Sequence, residues 1–249
     1  MKQVHFIVQG KGGVGKSLIS TMLAQYLLEN YSNVYLFDTD PVNQTFSRYK
    51  ALNVEIVNIA GKNNQIDQSQ FDLLIEDLIE RDGVGVVDNG STTFLPLMHY
   101  IEENGVIDIL EENGVEVIFH IPLQGGSGFY DTAEGLRSIL EALPVKTIVW
   151  LNHNQGELTF GGKHFTESKA YQKHADKIIG VCEIINRHND LFDKDIQRMS
   201  ENHLTIAEIK EITNNTEWRL MSKQRLMIFY KDICEQLHQI PLFAESTTE

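Results

Sequence analysis

The chain has two cysteines in 249 residues, Cys182 and Cys234. That is too few for a metal-ligand pattern, and nothing suggests an oxidised framework, so both read as buried thiols. An excess of positive charge is also missing. A net charge of −14 and an isoelectric point near 5.0 would repel polyanions at long range, which argues against a chain whose main work is coating nucleic acid or an anionic membrane. No apolar stretch approaches the roughly 20 residues of a membrane span. The start, MKQVHFIV, runs directly into a glycine loop, so no signal peptide and a cytoplasmic protein are expected, and the glycosylation-type triplets at Asn43, Asn89 and Asn214 read as chance. The nine histidines are scattered without metal-ligand spacing. With no Pro/Ser-rich linker, repeat or low-complexity stretch, residues 1–243 read as one domain and 244–249 as an unstructured tail.

What is present is a recurrence of short apolar segments without strict alternation: VHFIV, NVYLFD, NVEIVNI, GVGVVD, VEVIFHI, KTIVWLN and KIIGVCEII. Such runs are buried on both faces, and helical patterns separate them, which predicts a three-layer α/β/α fold around a mostly parallel sheet. Ile19, Met22, Leu23, Tyr26 and Leu27, and later Phe71, Leu74, Ile75, Leu78 and Ile79, fall at helical spacing. Further helices are predicted over about 128–142, stopping before Pro144, and from about Glu217 to His238. The stretch 153–216 has too weak a pattern to assign.

The ten residues VQGKGGVGKS, at positions 8–17, follow the first apolar segment and precede a helix. Gly10 to Ser17 matches G-x-x-x-x-G-K-[ST] in the strand-loop-helix context that a phosphate-binding loop requires. Glycines let successive backbone N–H groups turn inward around phosphate oxygens, and the following helix presents its positive end to the same anion. Lys16 supplies a charge for the β and γ phosphates, and Ser17 a hydroxyl for Mg²⁺. Gly12, Gly13, Val14, Gly15, Lys16, Ser17 and Leu18 are therefore the expected nucleotide contacts. Downstream, NVYLFDTDP ends a strand with Asp38 and Asp40, two residues apart. Carboxylates so close repel unless a cation or donors share them, and they could equally cap a helix starting near Asn43. GVGVVDNGSTT repeats the pattern, ending at Asp88. IVWLNHN ends in Asn152, whose carboxamide carries both the donor and the acceptor that an adenine edge needs.

The KGGVGKS form, with its additional Lys11, resembles the deviant P-loop ATPases related to the ParA and MinD partition proteins. The longer run DTDPVNQTFSRYKALNV, with VVDNG, PLMHY, VWLN and MSKQRL, is similar to TraL-type nucleotide-binding proteins encoded with plasmid conjugal transfer and mobilisation genes. The resemblance implies a P-loop NTPase fold and an ATPase that pairs as a homodimer on ATP, with Lys11 reaching the phosphates held by the other subunit. It implies that Asp38 helps organise the Mg²⁺ shell, that Asp40 positions or deprotonates the attacking water with Asn43 near the γ phosphate, and that Asp88 accepts from Ser17 or a Mg²⁺-bound water. Asn89 and Gly90 would then open a second switch, and Asn152 would read the base. Plasmid transfer or partition proteins are the implied partners. Many relatives frame adenine with an isoleucine-proline step, whereas this chain reads VCEIINRHND, which leaves the closure of the base pocket open. On the C-terminal helix Arg219, Lys223, Arg225 and Lys231 are balanced by Glu217, Asp232 and Glu235; DNA is not the favoured ligand and membrane anchoring is not expected. A nucleotide-responsive adaptor with negligible hydrolysis and a metabolic ATP-dependent enzyme are the alternatives. A shared iron-sulfur cluster is excluded, because no cysteine follows either switch before Cys182.

Overall fold

Alternate residues of the central strands enter two separate cores, as a sheet covered on both faces requires. In the computed structural model, which describes residues 1–59, 67–187, 189–213 and 216–244, Phe6, Val87 and Phe119 pack into one core and Ile7, Val86 and Ile118 into the other. The strands are β1 (Gln3–Ile7), β2 (Val34–Asp38), β3 (Glu55–Ile56), β4 (Val84–Asp88), β5 (Glu116–Gln124), β6 (Lys146–Asn152) and β7 (Ile178–Ile184). They form one sheet in the order β3-β2-β4-β1-β5-β6-β7, and every pairing is parallel. One face carries α2 (Gln68–Glu80), α3 (Phe94–Glu103), α4 (Val106–Glu112) and α5 (Phe129–Ala142). The other carries α1 (Lys16–Asn30), α7 (Asp190–Glu201), α8 (Ile206–Glu211), α9 (Leu220–His238) and α10 (Pro241–Ala244). The short α6 (Lys169–Lys173) precedes β7.

The predicted α/β/α layering and each of the seven strands are present, and the differences are local. The expected strand NVEIVNI keeps only two paired residues, because the Ile59 N–H turns back to the Val57 carbonyl at 3.0 Å and lifts the chain off this edge. The C-terminal helix begins at Leu220 rather than Glu217. Trp218 is instead buried beneath the Arg198 guanidinium, 5.6 Å from its ring centroid. Around the expected β7, the stretch without an assignment contains α6, α7 and α8. Asn189 starts α7 by accepting from the Leu191 and Phe192 N–H groups, and a Thr205/Glu208 capping box starts α8. Asn214 and residues 245–249, which include all but the first residue of the expected tail, lie outside the described residues.

Register places the site. The chain builds one side of β1 with β2 to β4 and the other with β5 to β7, and open α/β sheets bind ligands at the strand ends where the winding reverses. Ile7 and Asp38 both align with Asp88, so the loops after β1, β2 and β4 leave the sheet at one level. β5 and β6 continue past it: His120 aligns with Ile7, yet β5 runs to Gln124, which aligns with Asn152.

Candidate phosphate-loop site

The loop between β1 and α1 is shaped by two left-handed residues, Gly13 at φ 74° and Gly15 at φ 94°, positions where a side chain would be strained. The overhanging ends of β5 and β6 brace it. The Gln124 amide donates to the Gly13 carbonyl at 3.3 Å and the Asn152 amide to the Val14 carbonyl at 3.0 Å. Carbonyls are thereby drawn outward, and the cavity beyond, about 340 Å³, is bordered by Gly12, Gly13, Gly15, Lys16, Ser17 and Leu18. Its far wall is Asp40, Asn43 and Thr45 from the loop after β2, with Asp88, Asn89 and Ser91 at the end of β4.

Lys16 and Lys11 point in opposite directions. The Lys16 ammonium is buried and donates to the Lys11 carbonyl at 3.1 Å. Burial pushes its pKa below the usual value, while Asp88 and Asp40 pull it back up. The Lys11 side chain instead leaves the loop and pairs with Asp131 at 2.8 Å, on the first turn of α5.

The three aspartates differ as sharply. Asp88 is buried, accepts from the Ser20 hydroxyl at 2.8 Å, and has its pKa pushed up to about 7, chiefly by burial and also by Asp38; Ser20, Ser17 and Lys16 draw it back down. Asp38 is fully buried and does not border the cavity. Its oxygens accept from the Asp40 N–H at 3.0 Å and the Ser47 N–H at 2.9 Å, so it shapes the loop after β2 from beneath, and burial raises its pKa. Asp40 reaches the cavity but also folds onto its own turn, accepting from the Val42 and Asn43 N–H groups at 2.9 and 3.0 Å and from the Asn43 amide at 3.2 Å. No helix begins near Asn43, so the anticipated capping role is not what this pair does: residues 41–43 form a turn that Asp40 holds, and the next helical residues are the short 3-10 helix Phe46–Arg48. Gly90 sits against it: a Cβ there would meet the Asp40 Cγ at 2.7 Å.

A second compartment of about 390 Å³ adjoins the first through Gly13, Gly15 and Leu18. Asn152 lines it, as do Ile184 and Ile185 at the end of β7 and Phe192, Ile196 and Phe229 from α7 and α9. An apolar slot with a few amides at one end suits a flat heterocycle. The Asn152 oxygen already accepts from the Asn154 N–H at 3.1 Å, leaving one amide proton and one lone pair. Ser20, Gln124 and the α7 wall are additions that sequence reasoning did not supply. The signal that could have found α7 is the Asn-Asp pair at 189–190, a helix-start pattern.

The donor set fits a hard divalent ion. Ser17 and the carboxylates of Asp88 and Asp40 are oxygen ligands converging on one cavity. Among the described residues no cluster of three His, Cys, Asp or Glu makes an all-protein metal site. That matches the habit of Mg²⁺, which takes few protein ligands and shares the rest with phosphates. The basic residues of α9 are engaged within the chain. Arg225 pairs with the buried Asp195 at 2.6 Å, Lys231 with Glu235 at 3.4 Å, and Lys223 donates to the Lys210 and Ile212 carbonyls. No described helix is long and apolar enough to cross a membrane.

Parallel sheet, glycine loop, buried lysine and strand-end aspartates together define a P-loop nucleotide-binding protein. The family model described as the CobQ/CobB/MinD/ParA nucleotide binding domain matches residues 5–227, and the chain belongs to that family. Two proteins from Escherichia coli, each called Protein TraL, are 35% and 34% identical to it over 239 residues, 95% of this chain and 98% of theirs. Its fold is similar to that of the MinD cell division protein of Aquifex aeolicus, with a TM-score of 0.51 at 15% identity over 94% of this chain and 96% of that one. The septum site-determining protein MinD of Pyrococcus horikoshii, solved with Mg-ADP, is similar over the full length of both chains, also with a TM-score of 0.51 at 15% identity.

Proposed function

We propose that the chain is a Mg²⁺-dependent ATPase that pairs with a second copy of itself when ATP is bound and acts in plasmid conjugal transfer, mobilisation or stable maintenance. The observation that carries this reading is the pair of opposed lysines on one loop: Lys16 turned into the cavity, Lys11 turned out of it. A lysine directed away from its own cavity supports a role at the cavity of a second copy. The plasmid setting rests on the likeness to the TraL proteins.

In this reading the N–H groups of Gly12 to Ser17 and the Lys16 ammonium hold the β and γ phosphates. The Ser17 hydroxyl and Asp88 would hold Mg²⁺, which would supply neutralisation of charge on the phosphate oxygens, while Asp38 keeps the loop after β2 in position. Asp40 orients the attacking water, with Asn43 beside it. Lys11 of the second copy adds a cation at the transferring group, as an arginine finger does, so an isolated monomer hydrolyses slowly. Asn152 and the Ile184/Phe192 slot take the base.

Gel filtration of Asp40→Ala with and without ATP and Mg²⁺ tests the reading. Blocked turnover should trap a dimer, and a monomer unchanged by ATP would sink the proposal. Gly90→Ala supplies a finer probe. Its backbone, at φ −64° and ψ 150°, suits alanine, but the added methyl must displace the Asp40 carboxylate. Phosphate release should fall about tenfold, a loss of about 1.4 kcal/mol in transition-state stabilisation, with the melting temperature within a few degrees of wild type.

One observation favours a second reading, a nucleotide-responsive adaptor with negligible hydrolysis: the turn that occupies both oxygens of Asp40. Phosphate release measured with and without plasmid-encoded partner proteins separates the two.

A further inference from the structure

The ion pair between Lys11 and Asp131 spans 120 residues of sequence and joins the phosphate loop to the start of α5. Among the described residues the Asp131 side chain has no other hydrogen-bond partner, and Lys11 is anchored at its other end, its carbonyl accepting from the Lys16 ammonium at 3.1 Å. The backbone of Lys11 is thus tied to the phosphate cavity while its charge is tied to α5. To sit on the phosphate of another chain, an ammonium held at 2.8 Å by a carboxylate of its own chain must stretch or give up that contact. We propose that Asp131 is a positioning residue, a counterion within the chain that holds Lys11 back and so sets the threshold at which two copies pair around nucleotide. This rests on the pairing of copies proposed above.

The strength of the pair suits that role. Both side chains are well exposed, 44% for Lys11 and 60% for Asp131, and an ion pair of that kind contributes at most about 1 kcal/mol. A buried bridge would lock the lysine; this one biases it. One such contact opposes pairing by up to about fivefold, and the two that must break in a symmetric dimer oppose it by up to about thirtyfold. Asp131 lies in the first turn of its helix, where a carboxylate is favoured by the exposed N–H groups, so its place does not depend on Lys11.

The experiment is sedimentation of the full chain with Mg²⁺ and a non-hydrolysable ATP analogue, for wild type, Asp131→Asn, Asp131→Glu, Lys11→Ala and the double variant Lys11→Ala/Asp131→Asn. Asp131→Asn should tighten the dimer dissociation constant by about five- to thirtyfold, with the melting temperature lowered by no more than a few degrees, and Asp131→Glu should restore near-wild-type behaviour. The gap between Asp131→Asn and wild type should shrink as salt rises, since salt already weakens the exposed pair. Without Lys11 the Asp131 substitution should have no effect, which a general packing change at α5 would not reproduce. A dissociation constant for Asp131→Asn within twofold of wild type, or a weaker dimer, overturns the inference while leaving the pairing of copies intact if Lys11→Ala still weakens it. Pairing of Lys11→Ala as tight as wild type, or no pairing of wild type at all, overturns the reading on which it rests.

Discussion

Replacing Lys16 by glutamine should weaken ATP binding by about a hundredfold or more, read as the dissociation constant of a fluorescent ATP analogue. The ammonium is buried above the loop, held by the Lys11 carbonyl at 3.1 Å, and burial already lowers its pKa. The cost of removing this charge from water is therefore borne by the folded protein before any ligand arrives. What the phosphates receive is a preorganised cation in a partly dry site. A charge-assisted hydrogen bond contributes about 1.5–3 kcal/mol, and the rest follows from leaving the phosphate charge less compensated in a medium of lower dielectric than water. About 3 kcal/mol in total corresponds to roughly 150-fold. The same reasoning separates lost binding from lost folding. Because the charged form is disfavoured by burial, Lys16→Gln should melt at or above the wild-type temperature without nucleotide. Lys16→Arg should recover only part of the affinity, since a broad planar guanidinium replaces a compact point charge. A variant that melts early and binds weakly would mean that the lysine holds the loop together rather than its ligand.

Much of the fold was legible because it rests on local signals. The runs that became β1, β4, β5 and β6 are buried on both faces, and glycines stood where the backbone must turn left-handed. The loop, its lysine and its serine could be located because phosphate chemistry fixes their spacing along the chain, and Asp88 because it ends an apolar run. What could not be read was set by register and crossing distance. Gln124 braces Gly13 only because β5 runs four residues beyond the level at which β1 ends. Ser20 reaches Asp88 because one helical turn separates it from Ser17 on the face of α1 toward β4. The aspartates after β2 looked alike in sequence, yet burial gives Asp38 to the backbone of its own loop and leaves Asp40 at the cavity. Without the isoleucine-proline step, the second compartment is closed by Ile184 and Ile185 together with α7, an element whose periodicity was too weak to assign. The partner of Lys11 lies 120 residues away on an unrelated helix, and no pattern along the chain announces it.

The second large effect concerns stability rather than binding, and it follows from a polar chain buried in the central strands. Trp150 Nε1 donates to His120 Nδ1 at 2.9 Å, so the His120 proton sits on Nε2. That nitrogen lies 2.9 Å from His5 Nδ1, to which it donates, leaving the His5 proton on Nε2, buried without a hydrogen-bond partner among the described residues. A further proton on either ring would have to enter at an Nδ1 that is already accepting, so protonation breaks the chain in either ring. Burial agrees with the geometry: it holds His5 down to about 3 and His120 well below the usual histidine value, with His5 adding to the latter. In the unfolded chain both titrate near 6.5. Between about pH 6.5 and the lowered native values the unfolded state binds two more protons than the native state, so the stability these residues contribute is lost as pH falls. If both rings stay neutral, the loss from pH 7 to pH 5 is about 4 kcal/mol. His174 and His203, also lowered by burial, act in the same direction. Asp88, raised to about 7, and Asp38, also raised, act in the opposite one, their native forms gaining protons first as pH falls. Subtraction isolates the pair. His5→Leu with His120→Gln keeps an acceptor for Trp150 and leaves Asp88 in place, so the difference between wild-type and variant urea midpoints across pH 5–7 reports the two imidazoles. Wild type should lose about 4 kcal/mol relative to the variant over that range; parallel profiles would mean that the folded core admits the protons after all.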